Sequence, residues 1–330
     1  MRRREFLTVL GGVAASAPFG ARAQERTRSV GMLLAAPEHD PDTNALMEMF
    51  RRSLETLGWS ETRNLRIERR VASDTPKMRD YATELASLEL DVIVTYPTPS
   101  TAAIKAVTSG TPIVFVNVAD PIGSGFVDSL ARPGGSITGF VNFESSLGGK
   151  WLGLLREIAP NTSRVALLFN PATAANGAAG GIYLSSAKEA AVQSGAELIV
   201  SPVYDDADIE AVFRTLASGG GGGVIVNPNV FTSTHLAAIV AAAAKYRVPA
   251  IYPFRYYANN GGLLSYGVDV GDLFRGAATY VDRILRGTRA SDLPVQLPTK
   301  FELIINVKAA KAIGLAVPPA LLARADEVIE

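Results

Sequence analysis

Runs of aliphatic and β-branched residues alternate along this chain with apolar positions spaced three or four apart. Ser29–Ala35 reads as a buried strand, after which Leu46, Met47, Phe50, Leu54 and Leu57 recur at helical spacing until Gly58. Leu65–Val71, Asp91–Tyr96, Pro112–Val118 and Ile137–Asn142 follow as strands separated by short helices. Such a βαβ rhythm implies a parallel sheet covered on both faces.

The rhythm then restarts. Leu147, Trp151, Leu154, Leu155 and Ile158 mark a helix, Arg164–Asn170 a strand and Leu184–Gln193 another helix. Glu197–Val203, Gly223–Asn227, Ala250–Phe254 and Leu263–Val268 are further strands, with helices expected over Ser233–Tyr246 and Leu273–Leu285. The expected fold class is therefore α/β, with two Rossmann-like lobes of parallel sheet joined by a hinge of crossing strands. One lobe takes residues 24–143 plus about 269–290, and the other takes 144–268 plus about 291–330.

Composition adds few constraints, except at the N-terminus. The 330 residues are 48% hydrophobic and 19% charged with zero formal charge, so no nucleic-acid footprint is expected. Arg2, Arg3 and Arg4 precede a short apolar run, and Ala21-Arg22-Ala23 supplies the small residues of a cleavage site. Arg3-Arg4-Glu5-Phe6-Leu7 fits the twin-arginine export pattern, and Gly11-Gly12 favours a leader over a buried helix. Residues 1–23 are thus expected to be a signal peptide cleaved near Ala23, with the mature chain in the periplasm. Its removal leaves 28 basic against 31 acidic residues, a net charge of −3.

There is no cysteine, which excludes disulfides and thiol nucleophiles. His39 and His235 lie far apart without metal-site spacing, so neither a metal nor a cofactor is expected. Ser218–Gly223 is glycine-rich but precedes a strand, whereas a phosphate loop follows one, so it reads as a flexible connection. No G-x-S-x-G elbow and no dinucleotide fingerprint is present, and the chain is read as a non-enzyme. A hydrolase, for which Asp120 and Asp269 would be the paired carboxylates, or another enzyme on the same scaffold stays as the alternative, beside a ligand sensor for a membrane signalling partner.

Candidate chemistry gathers where strands end. Tyr96-Pro97-Thr98-Pro99-Ser100, Asn117-Val118-Ala119-Asp120, Asn170-Pro171-Ala172-Thr173, Asn227-Pro228-Asn229 and Tyr252-Pro253-Phe254-Arg255 all place polar or aromatic groups there. Ligands of open parallel sheets bind beyond those carboxyl ends. Each motif also reads as ordinary turn chemistry. As ligand groups, Thr98 and Ser100 would present hydroxyls and a helix start to a carboxylate. Asp120 and Asp269 would hold an ammonium, and the aromatics would stack on a ring. Arg255 is either a carboxylate clamp or a solvated loop charge.

Four blocks carry a family resemblance: DVIVTYPTPSTAAIKAVT, TPIVFVNVADPIGSGFVDSLARPGGSITGF, GGLLSYGVDVGDLFRGAATYVDRILRG and the stretch from DLPVQLPTK to the C-terminal end. The chain resembles the tryptophan/tyrosine-type substrate-binding proteins of ABC importers, with a type I periplasmic-binding fold. The resemblance implies a monomer that closes two lobes on a small-molecule ligand and delivers it to ABC permease membrane subunits. It also implies that Thr98, Ser100, Asn117, Asp120, Asn170, Thr173, Asn229 and Asp269 line the cleft. Tyr96 and Phe254-Arg255-Tyr256 depart from the small or acidic residues of aromatic-amino-acid binders, and Asn227–Val230 lacks their acid. An aromatic amino acid or aromatic carboxylate is the expected ligand.

Overall fold

The computed structural model describes residues 26–172 and 181–330. The leader and Thr173 therefore lie outside the described residues. β1 (Arg28–Leu34), α1 (Pro41–Thr56), β2 (Leu65–Val71), α2 (Thr75–Ser87), β3 (Val92–Tyr96), α3 (Thr98–Val107), β4 (Ile113–Val118) and β5 (Ile137–Val141) form the first lobe. Its sheet runs β2-β1-β3-β4-β5, parallel throughout. Period-two alternation puts Val30, Met32 and Leu34 into one core with Phe50 and Leu54 of α1. Leu33 points the other way, to Met78, Leu85, Ile104 and Phe115. Phe50 is fully buried, which contributes about 1.5–3 kcal/mol.

The second lobe begins with α4 (Leu147–Ile158), β6 (Arg164–Phe169), α5 (Leu184–Ser194), β7 (Glu197–Pro202), α6 (Asp206–Ser218) and β8 (Gly222–Val226). It continues through α7 (Val230–Thr234), α8 (Leu236–Tyr246), β9 (Ala250–Tyr252), α9 (Arg255–Asn259) and β10 (Leu264–Val268). The single helix expected over Ser233–Tyr246 is two helices. The break falls at His235, whose ring stacks on Phe231 at 3.9 Å and whose Nδ1 lies 2.9 Å from the Phe231 carbonyl. Glycines 219–221 join α6 to β8, with Gly220 and Gly221 at positive φ.

After β10 the chain crosses to the first lobe as α10 (Val270–Leu285), where Phe274, Ala277 and Val281 complete the α1 face. Residues 290–296 stay there, beyond the expected return near 291. Gln296 bonds Gly139 and Val141 beside β5, at 2.9 and 3.0 Å. A third crossing then leads to β11 (Phe301–Asn306), α11 (Val307–Ala312), α12 (Pro319–Leu322) and β12 (Glu327–Ile329). β11 runs antiparallel to β10, so the second sheet, β12-β11-β10-β9-β8-β6-β7, is mixed rather than parallel throughout. In both sheets the strand order reverses, at β1/β3 and at β6/β8, which is where ligands of parallel sheets bind.

Candidate functional site

β3 ends at Tyr96, and Pro97 starts α3 without a side-chain cap. Ser100 is fully buried and its hydroxyl donates to the Pro97 carbonyl at 2.7 Å, while Thr95 and Thr101 share a hydroxyl bond of 2.8 Å. These bonds fix the first turn and leave its N–H groups as partners for an incoming carboxylate. Thr98, half-buried, is the first helical residue.

The neighbouring strand brings Asn117 to the same place. Its φ is 64°, a left-handed conformation that L-residues adopt at a cost, and the β4–β5 register shifts there between Val116 and Val118. Strain of this kind persists where the surroundings impose it, and it gathers at binding sites. Asn117 is only 7% exposed, and its Oδ1 has no hydrogen-bond partner among the described residues. Its amide faces the Tyr96 phenol. Burial pushes that phenol well above its usual range, the Asp40 charge adds to the effect, and Asn117 opposes it. The Tyr96 ring packs on Phe274 with centroids 5.3 Å apart.

The second lobe contributes an aromatic ladder. Phe254 stacks on Tyr256 at 5.5 Å, Tyr256 on Tyr257 at 4.9 Å, and Tyr257 on Tyr252 at 5.0 Å. The Tyr256 hydroxyl is 2.9 Å from that of Ser233. Burial raises the Tyr256 phenol well above its normal range, and the nearby Tyr257 and Tyr96 phenols add to this. Tyr96 of the first lobe thus lies close enough to Tyr256 of the second for the two phenols to influence each other. Asp42, in the first turn of α1, likewise lies close enough to Asn259 and Arg255 of the second lobe to be affected by them. Burial and Asp40 raise the Asp42 carboxyl, while Arg255 and Asn259 pull it back. The carboxyl ends of the two sheets therefore face each other.

Other residues singled out from sequence have partners inside their own lobe. Asp120 accepts from the Gly123 N–H at 2.7 Å and closes the turn after β4. Asn170 donates to Val203 O at 2.9 Å and accepts from Ala172 N at 3.0 Å. Asn229 caps α7 by accepting from Thr232 N at 2.9 Å, with Thr232 returning the bond in a capping box. Phe254 is 7% exposed and belongs to the second-lobe core.

Two charged candidates form ion pairs within the protein. Arg255 was a candidate carboxylate clamp, but its guanidinium pairs with Glu302 at 3.4 Å and with Glu327 of β12. Asp269 was a candidate ammonium anchor, but it caps α10 and pairs with Lys300 at 2.9 Å and Arg275 at 3.0 Å. Burial opposes ionisation of Asp269, yet Lys300, the Asp272 N–H and Arg275 hold its carboxyl below the usual range. Both charges are satisfied at the hinge. Asp42, Asn259 and Ser233 were not singled out in advance. The run Asp40-Pro41-Asp42-Thr43 just beyond β1 was the available signal, since it is a helix start at a carboxyl end.

The same two-lobed arrangement recurs among known proteins. A curated tyrosine-binding protein from Clostridioides difficile is 24% identical over 279 residues, covering 84% of this chain and 79% of that protein. A conserved domain protein from Vibrio cholerae superposes with a TM-score of 0.78 at 25% identity, over 92% of this chain and all of that one. A Streptococcus pneumonia ABC domain crystallised with L-Trp superposes with a TM-score of 0.79 at 20% identity, with the same coverage, which supports the fold. The family model described as ABC transporter substrate binding protein matches residues 34–329, and the chain belongs to that family.

Proposed function

We propose that this protein is an exported, monomeric receptor that encloses a small aromatic solute between its lobes and presents it to an ABC permease. The observation that carries the reading is the buried, unpartnered Asn117 oxygen beside the uncapped start of α3, with Tyr96 and Tyr256 near it. The phenol rings would sandwich an aromatic ring. Thr98, Ser100 and the α3 N–H groups would take a carboxylate. Asn117 Oδ1 would accept from a ligand N–H or O–H, and Asp120, bonded through Oδ1 to Gly123, would offer Oδ2 to an ammonium. Asn170, Thr173 and Asn229 would complete the second-lobe wall. The related proteins that carry tyrosine in their name or L-Trp in their crystal support an aromatic amino acid or aromatic carboxylate as ligand.

The arginine-rich leader supports export, by the twin-arginine or the general route, with the mature protein acting in the periplasm. The test is a melting screen of the mature chain, paired with native mass spectrometry of the protein as isolated. An aromatic amino acid or aromatic acid at a hundredfold excess over its Kd should stabilise the fold by about 2.7 kcal/mol. Stabilisation by a sugar or a peptide alone overturns the ligand class. Turnover of a bound compound overturns the receptor reading.

A further inference from the structure

At the opposite end of the first lobe, away from the facing carboxyl ends, four arginines surround one cavity. It has a volume of about 480 Å³ and is lined by Arg26, Arg28, Arg63 and Arg286 with Trp59 and Asn64. Arg28 is the first residue of β1, and Asn64 directly precedes β2. The C-terminal ends of α1 and α10 reach the same place, which would ordinarily repel an anion. Here guanidinium groups cover those carbonyls. Arg286 donates to Leu57 O at 3.0 Å and Arg63 to Gly58 O at 2.7 Å.

Three of the four arginines are held in place by one or two bonds that leave further N–H donors. Arg28 pairs with Asp91 at 2.8 Å, and Arg286 with Asp282 at 2.6 Å. The Trp59 indole N–H also donates to Asp282, at 2.8 Å, and the Arg286 guanidinium lies 5.6 Å from the centre of the Trp59 ring. Arg26 and Arg63 have no carboxylate partner among the described residues. Preorganised guanidinium forks converging on one cavity match an anion with several oxygens better than a single carboxylate.

We propose that this cavity is a second binding site, separate from the cleft, for a phosphate-class oxyanion. Such an anion is carried by free phosphates and by anionic lipid headgroups alike. The Arg26 and Arg63 guanidiniums supply its main contacts, and Arg28 and Arg286 flank it.

The mature chain titrated with inorganic pyrophosphate tests this, with emission from Trp59 as the readout. The other tryptophan, Trp151, is buried in the second lobe and bonded to Tyr266 O at 2.6 Å. Binding should be saturable and should weaken as salt is raised. Arg26→Glu, which removes no internal bond, should weaken it about tenfold or more, and Arg63→Gln similarly. Tyr96→Phe in the cleft should leave it unchanged. Co-sedimentation with phosphatidylglycerol vesicles, but not phosphatidylcholine vesicles, lost in Arg26→Glu, assigns the site to a lipid headgroup. Pyrophosphate binding without co-sedimentation assigns it to a free anion. The site is refuted by no saturable response to pyrophosphate, or by a response that survives both arginine variants.

Discussion

The Asp269 N–H donates to Lys300 O at 3.0 Å, and the Lys300 ammonium returns to the Asp269 carboxylate at 2.9 Å. Asp269 begins the second crossing between the lobes and Lys300 ends the third, so this reciprocal pair fastens two hinge segments together. Arg275 adds a further ion pair at 3.0 Å. Asp269→Asn keeps a capping oxygen for α10 and removes only the charge. It should lower stability by about 1–2 kcal/mol at neutral pH. The pH dependence has a definite sign. The folded carboxyl is held below its ordinary value, so its contribution is present above about pH 4 and fades as pH falls through the lower folded value. Urea titrations of wild type and variant should therefore differ at about pH 5, below the range in which Glu302 titrates, and converge as pH falls further. A gap that does not narrow in acid rules out the electrostatic origin.

Glu302 behaves in the opposite sense. Burial pushes its carboxyl up to about 7, Arg255 opposes this, and Asp269, Asp326 and Glu327 add to the rise. Its side chain is 12% exposed, so desolvation outweighs the 3.4 Å pair with Arg255. A raised folded value means that the folded state holds the proton longer than the unfolded chain does. Stability is thus fullest below about pH 4.5 and declines as pH rises through about 7. Glu302→Gln should abolish that slope and leave the variant more stable at pH 8 by up to roughly 3 kcal/mol. Melting temperatures measured from pH 4 to 9 decide it. A slope equal to that of wild type would show that Glu302 is not the titrating group.

These two carboxylates also mark where sequence reasoning stopped. The strands of both lobes were legible because Val92–Tyr96, Ile113–Val118 and Arg164–Phe169 are short β-branched or aliphatic runs bounded by turn residues. β11 (Phe301–Asn306) and β12 were not among them, and the residues of β12, Glu327–Ile329, are exposed or half-exposed and lack the alternation of a core strand. The strand-end residues were legible as polar groups at the correct end of the sheet. Their electrostatic partners were not. Lys300 is far from Asp269 in sequence and Glu327 far from Arg255, and only the hinge brings each pair together. The nearness of Tyr96 to Tyr256 likewise depends on how the lobes meet, which no local pattern records.

Arg255 separates a structural charge from a ligand charge. Its guanidinium bridges α9 to Glu302 and Glu327, and its side chain is 44% exposed. Pairs of this exposure contribute about 1 kcal/mol or less, so Arg255→Gln should cost little stability. Loss of the opposing charge should also raise the Glu302 value further and widen the pH range over which stability declines. Ligand affinity should change by no more than about twofold, whereas removal of a charged anchor costs tenfold or more. Calorimetric titration of the variant distinguishes the two. A tenfold loss of affinity for an aromatic carboxylate assigns Arg255 as the clamp.

Asn117 allows backbone strain and ligand contact to be read independently. At φ 64° glycine is at ease, whereas alanine pays about 1–2 kcal/mol to adopt the left-handed region. Both substitutions delete the buried Oδ1 and the amide beside Tyr96. Asn117→Gly should therefore melt within about 1 kcal/mol of wild type, and Asn117→Ala should fall by about 1–2 kcal/mol. If the side chain serves only to close the bulge between Val116 and Val118, affinity for the cleft ligand should follow stability, and the glycine variant should bind normally. If Oδ1 accepts a hydrogen bond from the ligand, both variants should lose about tenfold in affinity despite their different melting points. The second outcome is expected, because an acceptor this deeply buried gains most from a donor that arrives with the ligand. Normal binding by Asn117→Gly removes Asn117 from the site.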